Sequence, residues 1–78
     1  NRTGKVTFIL FSVNPDEVVL TCRVPPERRF NAGSELPRLA FRLGGGGGGH
    51  EKAASIRVPS TLVEKLIEEV KGLEGYIG

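Results

Sequence analysis

The chain has 78 residues, 38% of them hydrophobic and 26% charged, with a net charge of +2; this fits one soluble globular domain with a thin core rather than a disordered tail. One cysteine and one histidine exclude an intrachain disulfide and a zinc-finger ligand set. No apolar run approaches the ~20 residues that a membrane-crossing helix needs.

Charge distribution says more than its sum. Residues 1–22 are neutral, residues 23–57 carry +4 and residues 60–78 carry −2. Six of the seven basic residues in the middle segment are arginine, whose planar forks suit phosphate oxygens. A solvated face with scattered charge would give the same count, so charge alone leaves both readings open.

In chain order, Asn1, Arg2, Thr3, Gly4 and Lys5 show neither an initiator methionine nor a signal-peptide pattern. A cytoplasmic fragment of a longer protein is expected. Residues 5–13, KVTFILFSV, are rich in β-branched and aromatic side chains, and the unbroken apolar stretch predicts a central strand. Asn14, Pro15 and Asp16 are turn formers. Residues 18–24, VVLTCRV, predict a second strand that pairs with the first as an antiparallel hairpin. Cys22 reads as a small buried side chain within it.

Pro25 and Pro26 end that strand. After a loop, Ser34 is positioned to cap a helix running to about Leu43, with Pro37 tolerated in its first turn. Leu36, Leu39, Ala40 and Leu43 then form one apolar face, with Arg38 and Arg42 on the other side. A third strand is expected at residues 55–58. Thr61 and Glu64 form a T-x-x-E capping box opening a second helix to about Lys71. Leu62, Leu66, Val70 and Leu73 line its apolar face, and Gly72 and Gly75 close it. The predicted fold class is α+β: a small mixed sheet of about three strands with two helices, in the order β-β-α-glycine loop-β-α.

Six consecutive glycines, Gly44 to Gly49, followed by His50, stand between the first helix and the third strand. Ordering them is costly, because glycine loses more backbone freedom than any other residue. A flexible linker, a nucleotide loop and a loop meeting a ligand with bare backbone compete as explanations. A P-loop is rejected, since His50 stands where lysine is required and a helix precedes the run. The amphipathic helix on one side and His50, Glu51, Lys52, Ala53 and Ala54 on the other favour the ligand-facing loop. Its N–H groups would converge on an anion, and His50 would add a ring donor able to carry charge.

Residues 31–58, NAGSELPRLAFRLGGGGGGHEKAASIRV, resemble the DHH-associated domain that follows the catalytic domain in DHH-family phosphoesterases. The family pattern is a short helix of small and apolar residues, then GG-x-GGGH, two further residues and an AAG-like triplet. The match is most similar to archaeal RecJ-like exonucleases and extends over about residues 5–71. It departs at Ser55, where the family usually has glycine. A relative of the domain occurs in alanyl-tRNA synthetases and their editing proteins.

The resemblance implies a single domain over residues 1–78 that holds a nucleic-acid backbone for a catalytic domain elsewhere in a parent phosphodiesterase. By position, Gly46, Gly47, Gly48, Gly49 and His50 would contact phosphate or sugar. Arg23 stands where the family often has a phosphate-binding arginine. Arg42 and Lys52 are added from charge and proximity. The expected partners are single-stranded nucleic acid or a short oligonucleotide, and the N-terminal DHH domain. That domain's Asp and His residues would hold Mn2+ or Mg2+ in a two-metal site. With only Asp16 and His50 of those types, this chain is expected to have no catalytic or metal-binding residues and no activity alone.

Two other readings stay open. One is a tRNA-binding or dimerising module like the C-terminal part of alanyl-tRNA synthetases. The glycine run suits it, and His50 counts against it because that group usually has arginine there. The other is an interaction module using the hairpin edge. Base stacking is expected to be minor, with Phe8, Phe11, Phe30, Phe41 and Tyr76 mostly on core faces and Phe30 serving as a core plug.

Overall fold

Val18, Leu20, Cys22 and Val24 alternate with Val19, Thr21 and Arg23, so a strand through them has one apolar face. In the computed structural model this segment forms β2, Glu17–Arg23. The structure describes residues 5–77, without the side chains of Tyr76 and Ile77. The expectations about residues 1–4 and the Tyr76 side chain lie outside the described residues. β2 pairs with β1, Thr7–Asn14, and with β4, Ala53–Pro59. The fourth strand, β3, is Gly46–His50 and pairs with β4. The sheet is antiparallel throughout, in the order β1-β2-β4-β3.

Both helices cover one face of this sheet. α1, Ala32–Arg42, and α2, Val63–Ile77, bring Leu36, Leu39, Ala40 and Leu66 against Leu20, Cys22, Ile56 and Val58. Phe30 plugs the core edge-on to Phe8, with ring centroids 6.5 Å apart. Arg42 of α1 joins Glu69 of α2 at 2.6 Å. Burial pushes the Cys22 thiol up to about 11.

The α+β class holds, and the four expected helical core residues of α1 are all buried. Four details differ from expectation. The glycine run is a fourth strand rather than a loop, because β4 supplies its hydrogen-bonding partner. β1 is an edge strand, and its side chains on the face that no helix covers, Ile9, Phe11 and Val13, stay 50%, 49% and 44% exposed.

The cap of α1 is Asn31 rather than Ser34. Its side-chain oxygen accepts from the Ser34 N–H at 3.2 Å. Pro37 consequently sits at the sixth helical position, where it cannot donate to the Gly33 carbonyl four residues back.

The second helix opens through a 3-10 turn, Ser60–Leu62, with no side-chain capping bond, and it continues past Gly72 and Gly75 to Ile77. Here Ser60 ties the turn to the hairpin instead. Its N–H and hydroxyl donate to the Asp16 and Pro15 carbonyls, both at 2.8 Å.

Candidate functional site

The sheet face away from the helices is open, and its composition follows from register. Residues opposite each other in antiparallel strands point to the same side. One row across the face therefore holds Thr7, Arg23, Ala53 and His50. The next holds Ile9, Thr21, Ser55 and Gly48, and the third holds Phe11, Val19, Arg57 and Gly46. Arg23 and His50 are two strands apart, about 10 Å between main chains. Arg57 lies two rows from them, about 13 Å along the strand.

The glycines divide by position. Gly44 has φ +73° and closes α1 as the left-handed residue of a Schellman motif. The Gly45 N–H donates to the Ala40 carbonyl at 2.8 Å, and the Gly44 N–H to that of Phe41 at 3.2 Å. At Gly45, Gly47 and Gly49 a Cβ would stand 2.1, 2.3 and 2.4 Å from the carbonyl oxygens of Arg57, Ser55 and Ala53. Those three positions admit no side chain because the strand lies too close to β4. At Gly46 and Gly48 a Cβ would meet nothing within 4 Å. No contact among the described residues requires those two to be bare. Gly46 borders a shallow groove of about 520 Å³ that Val19, Ser55 and Arg57 also line.

Polar groups surround this bare strand. The His50 Nδ1 accepts from the Lys52 N–H at 3.4 Å, which leaves Nε2 to act outward as donor. The position of His50 is fixed from behind by Gly33, where a Cβ would come 2.9 Å from the His50 carbonyl carbon. The Glu51 carbonyl, which accepts from the Ala32 N–H at 2.9 Å, ties the same end to α1. The hydroxyls of Thr21 and Ser55 lie 3.0 Å apart between the cationic rows. Ser55, the departure from the family glycine, keeps β4 intact and adds a polar group to the face.

Of the residues singled out by sequence, the structure brings together Arg23, Gly46, Gly48 and His50 on one surface. Gly47 and Gly49 belong to the same strand but fit against β4. Lys52 sits in the β3–β4 turn, and its ammonium donates to the Arg28 carbonyl, bracing the loop before α1. Arg42 is on the helical layer and engaged with Glu69. Arg57 was not among the expected site residues. It lies on the open face, half exposed and loosely paired with Glu17 at 3.6 Å. The alternation of Ser55, Ile56, Arg57 and Val58 was the available signal, since it puts Ser55 and Arg57 on one side.

Among the described residues no three His, Cys, Asp or Glu side chains converge to hold a metal ion, and no helix is long and apolar enough to cross a membrane. The described residues do not fit a two-metal centre.

The chain matches the DHHA1 domain model over residues 1–74. It is also 41% identical over 54 residues to the alanine–tRNA ligase of Wolinella succinogenes. That match covers 69% of this chain and 6% of the ligase, so the chain spans a small part of that relative's length.

Proposed function

The chain belongs to the DHHA1 domain family, and from that premise we propose that its open sheet face grips the sugar-phosphate backbone of a nucleic acid. The observation that carries this reading is the pair of glycines, Gly46 and Gly48, bare without any need from the fold. Gly46 lies in the row of Arg57, and Gly48 in the row next to that of Arg23 and His50. Without Cβ atoms on that strand, phosphates can approach the main chain. Arg23 then offers a forked donor, His50 its Nε2, and Arg57 a second guanidinium further along.

In this reading the parent is a cytoplasmic DHH-type phosphoesterase, most similar to RecJ-like exonucleases. Its catalytic domain, with Mn2+ or Mg2+, hydrolyses the phosphodiester while this domain holds the strand. The chain's own work is binding and orientation, and it contributes no catalytic group. A second reading is favoured by the match to an alanine–tRNA ligase: the same face would then meet an RNA backbone within a tRNA-handling protein.

Fluorescence anisotropy with short single-stranded DNA and RNA at two salt concentrations tests the proposal. Binding is expected to weaken steeply with salt, with little sequence preference. Arg23→Ala and His50→Ala are each expected to weaken it. Salt-insensitive binding, or binding indifferent to both substitutions, would overturn the backbone-gripping role. A strong preference for tRNA over short single strands would favour the ligase-like reading.

A further inference from the structure

The open face changes character from one edge to the other. On β1, Ile9, Phe11 and Val13 remain about half exposed, and Val19 continues the apolar surface onto β2. Two strands further, β4 presents Ser55 and Arg57, and β3 beyond it presents bare main chain and His50. The third row runs Phe11, Val19, Arg57, Gly46 without interruption. Within that row the Phe11 ring and the Arg57 guanidinium stand on strands two spacings apart, about 10 Å.

A single nucleic-acid strand has the same division. Its backbone is anionic, and its bases expose flat apolar faces wherever they are unpaired. A duplex keeps those faces inside. The rings of Phe8 and Phe30 are committed to each other and to the core, and Phe41, 84% exposed, belongs to the helical layer. Among the described side chains, Phe11 is the aromatic ring that shares the face with Arg57.

We propose that the β1 stripe centred on Phe11 is a base-stacking platform, so that this face takes an unpaired strand with its backbone along β3–β4 and its bases toward β1. The inference rests on the backbone-gripping reading above. It adds a term that phosphates alone do not supply, because every base has a π-face and stacking tolerates any sequence.

The test compares three ligands of equal length on the full chain: a single-stranded oligonucleotide, an abasic strand with the same phosphates, and a duplex. The base-bearing strand is expected to bind about tenfold tighter than the abasic one, the effect of one stacked base. Phe11→Ala is expected to lower it to the abasic level while leaving abasic binding unchanged, and Phe11→Tyr to retain the preference. A denaturation midpoint for each variant verifies folding; if Phe11→Ala does not fold, the wild-type comparison with the abasic strand decides. Equal, salt-sensitive binding of base-bearing and abasic strands would overturn the platform and leave the phosphate grip standing. Tighter binding of the duplex would also overturn the platform. Absence of binding by every ligand at low salt would overturn both.

Discussion

Adjacent glycines of β3 should respond in opposite ways to the same added methyl group. At Gly48 the backbone φ is not positive and the space for a Cβ is empty. Gly48→Ala removes conformational freedom from the unfolded chain, and is expected to raise stability by ~0.4–1 kcal/mol. For a domain of this size that is a rise of roughly 4–8 °C in Tm per kcal/mol. At Gly47 the same methyl would stand 2.3 Å from the Ser55 carbonyl oxygen and 2.6 Å from the Ile56 Cα. Relief requires β3 to part from β4, and overpacking of this kind costs about 1–3 kcal/mol. Set against a total stability of about 4–12 kcal/mol for a chain of this length, that loss is easily measured. Urea denaturation of both variants reads the two signs. Oligonucleotide titration of Gly48→Ala then isolates function: affinity is expected to fall about tenfold, equivalent to losing one charge-assisted hydrogen bond as the methyl holds a phosphate off the strand. A stabilised Gly48→Ala with unchanged affinity would refute the claim that this bareness serves a ligand. A destabilised Gly48→Ala would show that the fold itself requires the glycine.

Arg57→Ala is expected to reduce the slope of log affinity against log salt by about 0.7, the contribution of one phosphate in a single strand. An unchanged slope would remove Arg57 from the backbone path. The Cys22 thiol, raised by burial from 9.0 to about 11, gives a stability that is full below pH 9.0 and declines as pH rises through about 11, because the unfolded thiol ionises first. The difference in urea midpoint between wild type and Cys22→Ala should therefore change across that window and stay constant below it. A difference that does not vary with pH would contradict the assigned burial.

The helical core was legible because its signal is redundant. Leu36, Leu39, Ala40 and Leu43 repeat at helical spacing, and all four are buried. Cys22 was also placed correctly, because the alternation of its strand puts it on the apolar face, and so was Phe30, the one large apolar side chain in a basic loop. The glycine strand was not legible as a strand. Glycine has no side chain to reveal a period and disfavours strands intrinsically, so only the pairing with β4 holds it extended. Residues 8–11 read as a central strand because an unbroken apolar run does not say whether its second face is covered by helices or by a ligand. Asn31 lost to Ser34 as the expected cap since both are good capping residues. The contact of Gly33 with His50, which draws the start of α1 toward the sheet edge, lies outside any local pattern. Arg23 and His50 were both singled out, but their sharing one row depends on β4 lying between their strands.

The turn that closes α1 has a consequence for the length of the glycine tract. Gly44 fixes where the helix stops, and β3 begins two residues later. From there every residue alternates between the side pressed on β4 and helices and the side left open. The tract therefore encodes a parity: its six residues end with the imidazole outward. One glycine more or fewer, with the helix end held, would turn His50 inward and exchange the forced glycines with the unforced ones. A change of two would preserve the alternation and only slide the strand. A stretch that looks like filler, in which any single letter could be swapped for its neighbour without notice, thus carries its information in being even.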